Sequence, residues 1–490
     1  MSAKAIQQAP ATALQDMRRV RNIHFLGIGG SGMSGIAEVL INQGYDVSGS
    51  DLVASRVTDR LRSLGATICI GHKKKNVENC DVVVVSSAID EQNEELIEAH
   101  TRRIPVIQRA EMLGELMRYR YGIAVSGTHG KTTTTSLITS IFQAAKLDPT
   151  VVIGGLLNSM GSNARLGSSR YLIAEADESD ASFLHLQPML TVITNIDRDH
   201  MATYGGDFDS LKATFVEFVH RLPFYGAVVL CIDDANALSL IDSLARPVIT
   251  YGLCEEADFQ AFDVSHVGQS WKFRVRRPVP HSELEVTIEI PGMHNVVNAL
   301  AAVAVATEEG VADAAIVKGL TLFEGVDRRF QVVENVNLGC ISGETGREDL
   351  SFTLVDDYGH HPTELGVVID TARQVWPDSR IVMAFQPHRF SRTHDLYDEF
   401  VRELSRVDAL MLLPVYSAGE KEIPGADSHS IAHGIRERSA LNPVYAEDTE
   451  EACALLSRFL QRGDIFIVQG AGNINQISRQ LLGSSSEVFA

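Results

Sequence analysis

Only six cysteines occur in 490 residues (Cys69, Cys80, Cys231, Cys254, Cys340 and Cys453), and none forms a C-x-x-C pair. A disulfide framework or a structural zinc site is therefore not expected, and the six read as small buried residues. Positive charge is also scarce: 43 Lys and Arg against 63 Asp and Glu leave a formal charge of −20. That balance argues against a general nucleic-acid or membrane-surface binder, so each basic residue must be read individually, as part of a local site for an anion. No uninterrupted apolar run is long enough to span a bilayer, and residues 1–20 lack the apolar core of a signal peptide, so a cytoplasmic enzyme is expected. Low-complexity segments and short repeats are missing too. A chain of this length predicts two to four domains of roughly 100–200 residues each.

What is present begins with Gly127-Thr128-His129-Gly130-Lys131-Thr132-Thr133-Thr134, set between a strand pattern, 122–126, and a helix pattern, 136–142. This is the context of a phosphate-binding loop. The glycines let backbone N–H groups close on phosphate oxygens, Lys131 supplies a point charge, and Thr132 offers a hydroxyl to Mg²⁺. The spacing G-x-x-G-K-T is shorter than the commoner G-x-x-x-x-G-K-[ST]. A second glycine-rich turn, Gly27-Ile28-Gly29-Gly30-Ser31-Gly32, follows the apolar strand 23–26 and opens an amphipathic helix. Asp51 ends the next strand about 20 residues beyond these glycines, where a carboxylate binds a ribose or base edge in dinucleotide-type folds. Val82–Val85 reads as a buried parallel strand whose following Ser86 and Ser87 face the same crevice.

Three α/β segments follow one another along the chain, with expected boundaries at 1–122, 123–327 and 328–490. In the central one, strand 171–174 runs into Glu175 and Glu178, and strand 190–196 runs into Asp197-Arg198-Asp199-His200. In a doubly wound sheet these ends lie beside the phosphate loop, so Glu175 and His200 complete a Mg²⁺ shell, with Glu178 the competing carboxylate and a solvated acidic loop the alternative. His294, Asn295 and Asn298 open an alanine-rich helix, either to contact adenine or phosphate or to cap it. In the last segment two charged loops, 356–364 and 387–392, cap strand ends, and 470–473 makes a glycine turn after a further strand.

These blocks, in this order, resemble the Mur ligase family over nearly the whole chain: GIGGSGMSGIAE from Gly27, GTHGKTTTT from Gly127, EADESDASF from Glu175, TNIDRDH from Thr194, GMHNVVNA from Gly292, DRRF from Asp327, DDYGHHPTE from Asp356, FQPHRFSRT from Phe385 and VQGAGN from Val468. The resemblance implies a Rossmann-like N-terminal domain, a P-loop-type central domain and a Rossmann-like C-terminal domain, holding a UDP-sugar, ATP and an amino acid respectively, the third closing over the other two. It implies ligation of L-alanine to the carboxylate of UDP-N-acetylmuramate at the expense of ATP with Mg²⁺, by a monomer or homodimer, in peptidoglycan precursor synthesis. A recovered tripeptide is the competing amine substrate within the family. By the same resemblance, catalysis falls to Lys131, Glu175, His200, Arg329 and Asp357. ATP falls to Gly127 through Thr133, His294, Asn295, Asn298, Arg329 and Asp357, and the metal to Thr132, Glu175 and His200. Substrate binding falls to Gly29, Gly30, Ser31, Gly32, Asp51, Ser86, Ser87, His360, His388 and Arg389, and Lys212 is left outside the site. Two other classes compete: an NAD(P)-dependent oxidoreductase, suggested by Gly27 to Asp51, and a non-catalytic nucleotide-sugar sensor. The phosphate loop and acidic strand ends disfavour both.

Overall fold

The computed structural model describes residues 17, 19–86, 89–157, 162–338 and 350–483. The first sheet comprises β1 (Asn22–Leu26), β2 (Asp46–Asp51), β3 (Thr67–Ile70), β4 (Val82–Val85) and β5 (Val106–Gln108), all parallel, in the order β3-β2-β1-β4-β5. The chain reverses direction across this sheet between β1 and β4, which opens a crevice at their carboxyl ends. All four valines of β4 are buried, as helices on both faces of a parallel sheet require.

A second sheet is built from β6 (Tyr121–Ser126), β7 (Thr150–Leu157), β8 (Ser162–Arg165), β9 (Tyr171–Glu175), β10 (Leu190–Ile193), β11 (Ala227–Cys231) and β12 (Val248–Gly252), in the order β12-β11-β10-β6-β9-β7-β8. It continues past β12 with β13 (Phe259–Val267), β14 (Ser270–Arg276) and β15 (Leu284–Ile288). The strand carrying the phosphate loop, β6, is thus flanked in parallel by β9 and β10, and the acidic ends of both neighbours emerge on its side of the sheet. β10 stops at Ile193, earlier than the apolar pattern suggests, because Thr194 and Asn195 leave the ladder to hold the phosphate loop.

The third sheet holds β16 (Gln331–Asn337), β17 (Ser351–Asp357), β18 (Ile381–Phe385), β19 (Ala409–Leu412), β20 (Val444–Tyr445) and β21 (Ile465–Gln469), in the order β16-β17-β21-β18-β19-β20. β21 lies between β17 and β18, parallel to both, so the two charged loops and the 470–473 turn leave the same edge of one sheet. By contacts the chain forms two compact units, Met1–Ala261 with Val275–Leu284 and Asn298–Leu322, and Phe262–Arg274 with Glu285–Val297 and Phe323–Ala490. No helix among the described residues is long and apolar enough to cross a membrane. The cysteines depart from expectation: Cys231 and Cys453 are buried, but Cys69, Cys80 and Cys254 are half-buried on strands or turns near the surface, and Cys340 lies outside the described residues.

Candidate active site

The helix Lys131–Ala144 starts directly on the phosphate loop, with Gly130 as its N-cap in the left-handed region and no side chain capping it. Elsewhere Asp207, Asp427 and Asp448 cap helices through their carboxylates. The uncapped first-turn N–H groups, together with the helix dipole, suit a bound anion. Both loop glycines are required by space as well as by backbone. Gly127 has φ +124° and a Cβ there would overlap the Thr194 hydroxyl, while Gly130 has φ +81° and its Cβ would sit 2.7 Å from Asn298 Oδ1.

Around this loop β10 supplies a scaffold. Thr194 Oγ1 donates to the His129 carbonyl (2.6 Å), the His129 N–H donates to Asn195 Oδ1 (2.8 Å), and the Asp197 N–H donates to Thr128 Oγ1 (2.9 Å). His129 Nε2 lies 3.2 Å from an Asp197 oxygen. Thr132 and Thr133 are buried in the first helical turn, and Thr134 donates to Asn298 (3.2 Å). Asn298 is therefore brought against the phosphate loop. His294 and Asn295, on the same helix Met293–Glu308, fall in the other compact unit. There Asn295 donates to the Pro291 carbonyl (2.7 Å), and burial, with Arg329 adding to it, lowers the His294 pKa to about 4, so that its imidazole is neutral.

Lys131 Nζ donates to the carbonyls of Gly127 (2.6 Å) and Thr128 (3.1 Å) and to both carboxylate oxygens of Glu178 (2.8 and 3.0 Å). Burial alone would lower the ammonium pKa, but Glu178, Asp177 and Glu175 outweigh it and the net shift is upward. For Glu178 burial wins, raising its pKa despite the pull of Lys131. Glu175 is held differently: its Oε1 accepts the Gly154 N–H (2.9 Å). The turn after His200 is tied to this acidic segment, since Thr203 donates to the Ser179 carbonyl (2.7 Å) and Tyr204 to that of Glu178. His200 itself has φ +53°, and its N–H and ring both engage Asp199. Lys131, Glu175, Glu178 and the His200 turn thus border one phosphate loop.

In the first sheet, the Gly29 N–H donates to Asp51 Oδ2 (2.8 Å) and the Gly30 N–H to the Gly27 carbonyl (3.1 Å). The helix Ser31–Asn42 follows with Gly30 as its N-cap and no side-chain cap. Ser86 sits at the opposite bank, 3.9 Å from where a Gly27 Cβ would be; Ser87 lies outside the described residues. Arg109, which the sequence alone does not single out, immediately follows β5. Its guanidinium lies against Gly32 and 3.6 Å from Asp177, which links the first crevice to the acidic end of β9. The signal was a lone arginine at the carboxyl end of a parallel strand, invisible until β5 is placed in that sheet.

In the third sheet Asp357 is buried. It accepts the N–H groups of Phe330 (2.9 Å) and Gly359 (2.7 Å) and the Gln469 amide (3.1 Å). Burial pushes its pKa up to about 6, against the pull of Arg329 and the two N–H groups. Arg329 lies over the Tyr358 ring (5.3 Å) and 3.6 Å from Glu364. His388 stacks on Tyr416 (5.5 Å between centroids) and meets His360 at 5.2 Å, while Arg389 holds φ +73° and lies 3.6 Å from Glu420. The two charged loops expected to lie together do so.

Three family models match in succession: the Mur ligase family catalytic domain over residues 22–121, the Mur ligase middle domain over 125–306, and the Mur ligase glutamate ligase domain over 328–472. The chain belongs to the Mur ligase family, the ATP-dependent amide-bond ligases of peptidoglycan precursors, and has that family's three-domain α/β architecture. Among solved structures it is similar to the UDP-N-acetylmuramate-alanine ligase of Thermotoga maritima, with 27% identity, 94% of this chain and 98% of that one covered, and a TM-score of 0.77. It is also similar to the UDP-N-acetylmuramate:L-alanyl-gamma-D-glutamyl-meso-diaminopimelate ligase of Neisseria meningitides (26%, 63% and 100% covered, TM-score 0.58). The murein peptide ligase of Psychrobacter arcticus shares the fold at 24% identity, with 94% and 98% covered and a TM-score of 0.69.

Proposed function

We propose that this chain joins L-alanine to the carboxylate of UDP-N-acetylmuramate with ATP, releasing ADP and phosphate, as a cytoplasmic enzyme of cell-wall precursor synthesis. The observation that carries the ligase reading is the phosphate loop with Lys131 bound to a buried carboxylate at the edge of β9. The alanine reading is supported by the full-length likeness to the Thermotoga enzyme. A tripeptide remains the second reading, favoured by the likeness to the Neisseria enzyme.

A free carboxylate is a poor acylating agent, so its oxygen first attacks the γ-phosphorus of ATP, giving an acyl phosphate and ADP. The neutral amine then attacks the acyl carbon, and the tetrahedral intermediate expels phosphate. Lys131 exchanges Glu178 for phosphate oxygens and spreads the charge of the transferring group. That exchange frees a buried carboxylate; with the Thr132 hydroxyl and Glu175, which border the same loop, it would make an oxygen-rich donor set suited to Mg²⁺, with His200 as a further ligand. When bound, the ion neutralises charge on the phosphates. Gly29 to Gly32, Asp51, Ser86 and Ser87 take the nucleotide sugar. His360, His388 and Arg389 take the amino acid, with His360 of suitable chemistry for the amine's proton. Arg329 and Asp357 act on ATP as the third domain, from 328, closes on the segments 1–122 and 123–327.

Nucleotide sugar carrying oxygen-18 in its carboxylate tests the acyl phosphate route, because the attacking oxygen leaves with the phosphate. Labelled phosphate is expected; unlabelled phosphate alongside labelled amide product would contradict it.

A further inference from the structure

Glu95, on the helix Glu94–Thr101, is fully buried, with no lysine or arginine in ion-pair contact among the described residues. Its Oε2 accepts the Ser50 hydroxyl (2.6 Å) and faces His24 Nε2 (3.3 Å), and its Oε1 accepts the Asn76 amide (2.5 Å) and the Lys73 N–H (3.0 Å). Burial alone would raise its pKa, but these donors outweigh it and hold it at about 2. A buried carboxylate held by hydroxyl, amide, imidazole and backbone donors, with no lysine or arginine against it, is expensive to keep, and breaking its bonds is more costly still.

Its position gives the charge a use. Ser50 lies near the end of β2, and its carbonyl accepts the N–H groups of Gly27 (2.9 Å) and Ile28 (3.1 Å), the start of the glycine turn. The next residue, Asp51, holds Gly29 with its side chain and Gly71 with its carbonyl (2.8 Å). The Ser50 hydroxyl has one hydrogen and directs it to Glu95, so its oxygen can only accept from His72 Nδ1, 2.9 Å away. A neutral His72 is thereby the Nδ1–H tautomer. Its Nε2, which makes no hydrogen bond to any described residue, is left as an acceptor at the strand ends beside Asp51.

We propose that Glu95 is a positioning residue for the nucleotide-sugar crevice: through Ser50 it anchors the glycine turn and orients His72 so that Nε2 receives a hydrogen-bond donor of the nucleoside. This rests on the proposed function. Glu95→Gln puts an amide donor where an acceptor stood, and Ser50→Ala cuts the relay while keeping the carboxylate's other donors. In the full-length protein, ¹⁵N spectra of the imidazoles should show His72 as Nδ1–H in the wild type and as a mixture of tautomers in Glu95→Gln, whereas in Ser50→Ala the retained carboxylate, 3.5 Å from Nδ1, keeps the proton there. KM for the nucleotide sugar should rise about tenfold, the worth of roughly one charge-assisted hydrogen bond, while kcat and KM for ATP stay within about twofold. A purely structural role would not separate the two substrates in this way. If both variants fold, as thermal melting reports, and His72 keeps its tautomer in Glu95→Gln or the nucleotide-sugar KM is unchanged in either, the relay is overturned. A wild type that turns over no nucleotide sugar overturns the proposed function instead, and with it the relay's purpose.

Discussion

Replacing Lys131 by alanine should cut turnover at least about 10²-fold, the scale of losing one electrostatic stabiliser of a transition state, while leaving nucleotide-sugar binding intact. The same change has a second effect. Lys131 is the cation facing Glu178, and without it that buried carboxylate is left uncompensated, a loss of about 3–5 kcal/mol in comparable sites. The signs can be separated by pH. Glu178 already has a raised pKa in the folded chain, and removing Lys131 raises it further. An acid whose folded pKa lies above its unfolded value stabilises the fold below the unfolded pKa and loses that contribution as pH rises through the folded one. Lys131→Ala should therefore be most destabilised at alkaline pH and recover on acidification. Adding Glu178→Gln to Lys131→Met should restore the melting temperature but not the activity. Near-normal ATP turnover by a folded Lys131→Ala protein would remove this residue from the phosphoryl step.

Asp357→Asn is expected to show the next largest effect, on stability and its pH dependence. The carboxylate is buried under three donors, and an asparagine turns an NH₂ group toward one of them, which costs about 1–3 kcal/mol for each donor left unsatisfied. With a folded pKa of about 6 against an ordinary 3.8, Asp357 holds its proton longer in the folded chain than in the unfolded one. Its contribution to stability is complete below about pH 4 and is lost as pH rises through about 6, a swing on the order of 3 kcal/mol. Denaturant titrations between pH 4.5 and 7.5 should show wild-type stability falling more steeply than that of Asp357→Asn. Parallel profiles would mean that Asp357 is ionised throughout and that burial does not govern it.

Residues whose meaning is local were legible in the sequence. Gly127 to Thr134 read as a loop between a strand and a helix start, which is where the structure has it, and Asp51, singled out by its distance from the glycine turn, does accept that turn's Gly29 N–H. What resisted reading depends on partners remote in the chain. The sequence favours Glu175 as the metal carboxylate with Glu178 competing, and only the fold shows that Lys131 reaches the second while a backbone N–H from β7 engages the first. Glu95 carried no signal at all: its donors come from residues 24, 50, 73 and 76, brought together only when β1, β2 and β3 align. Arg109 was hidden for the same reason. Asp357 stands out in the sequence only by its motif; its burial under the N–H groups of Phe330, just before β16, and Gly359, just after β17, depends on the pairing of those two strands.

The central claim is tested most directly by coupled ADP release from the purified chain with ATP, Mg²⁺ and UDP-N-acetylmuramate, offering L-alanine, glycine, L-serine and the tripeptide in parallel. The account predicts ADP release that needs all components, is fastest with L-alanine, and yields a product whose mass shows one new amide. Turnover with the tripeptide alone, or ADP release indifferent to the nucleotide sugar, would contradict it.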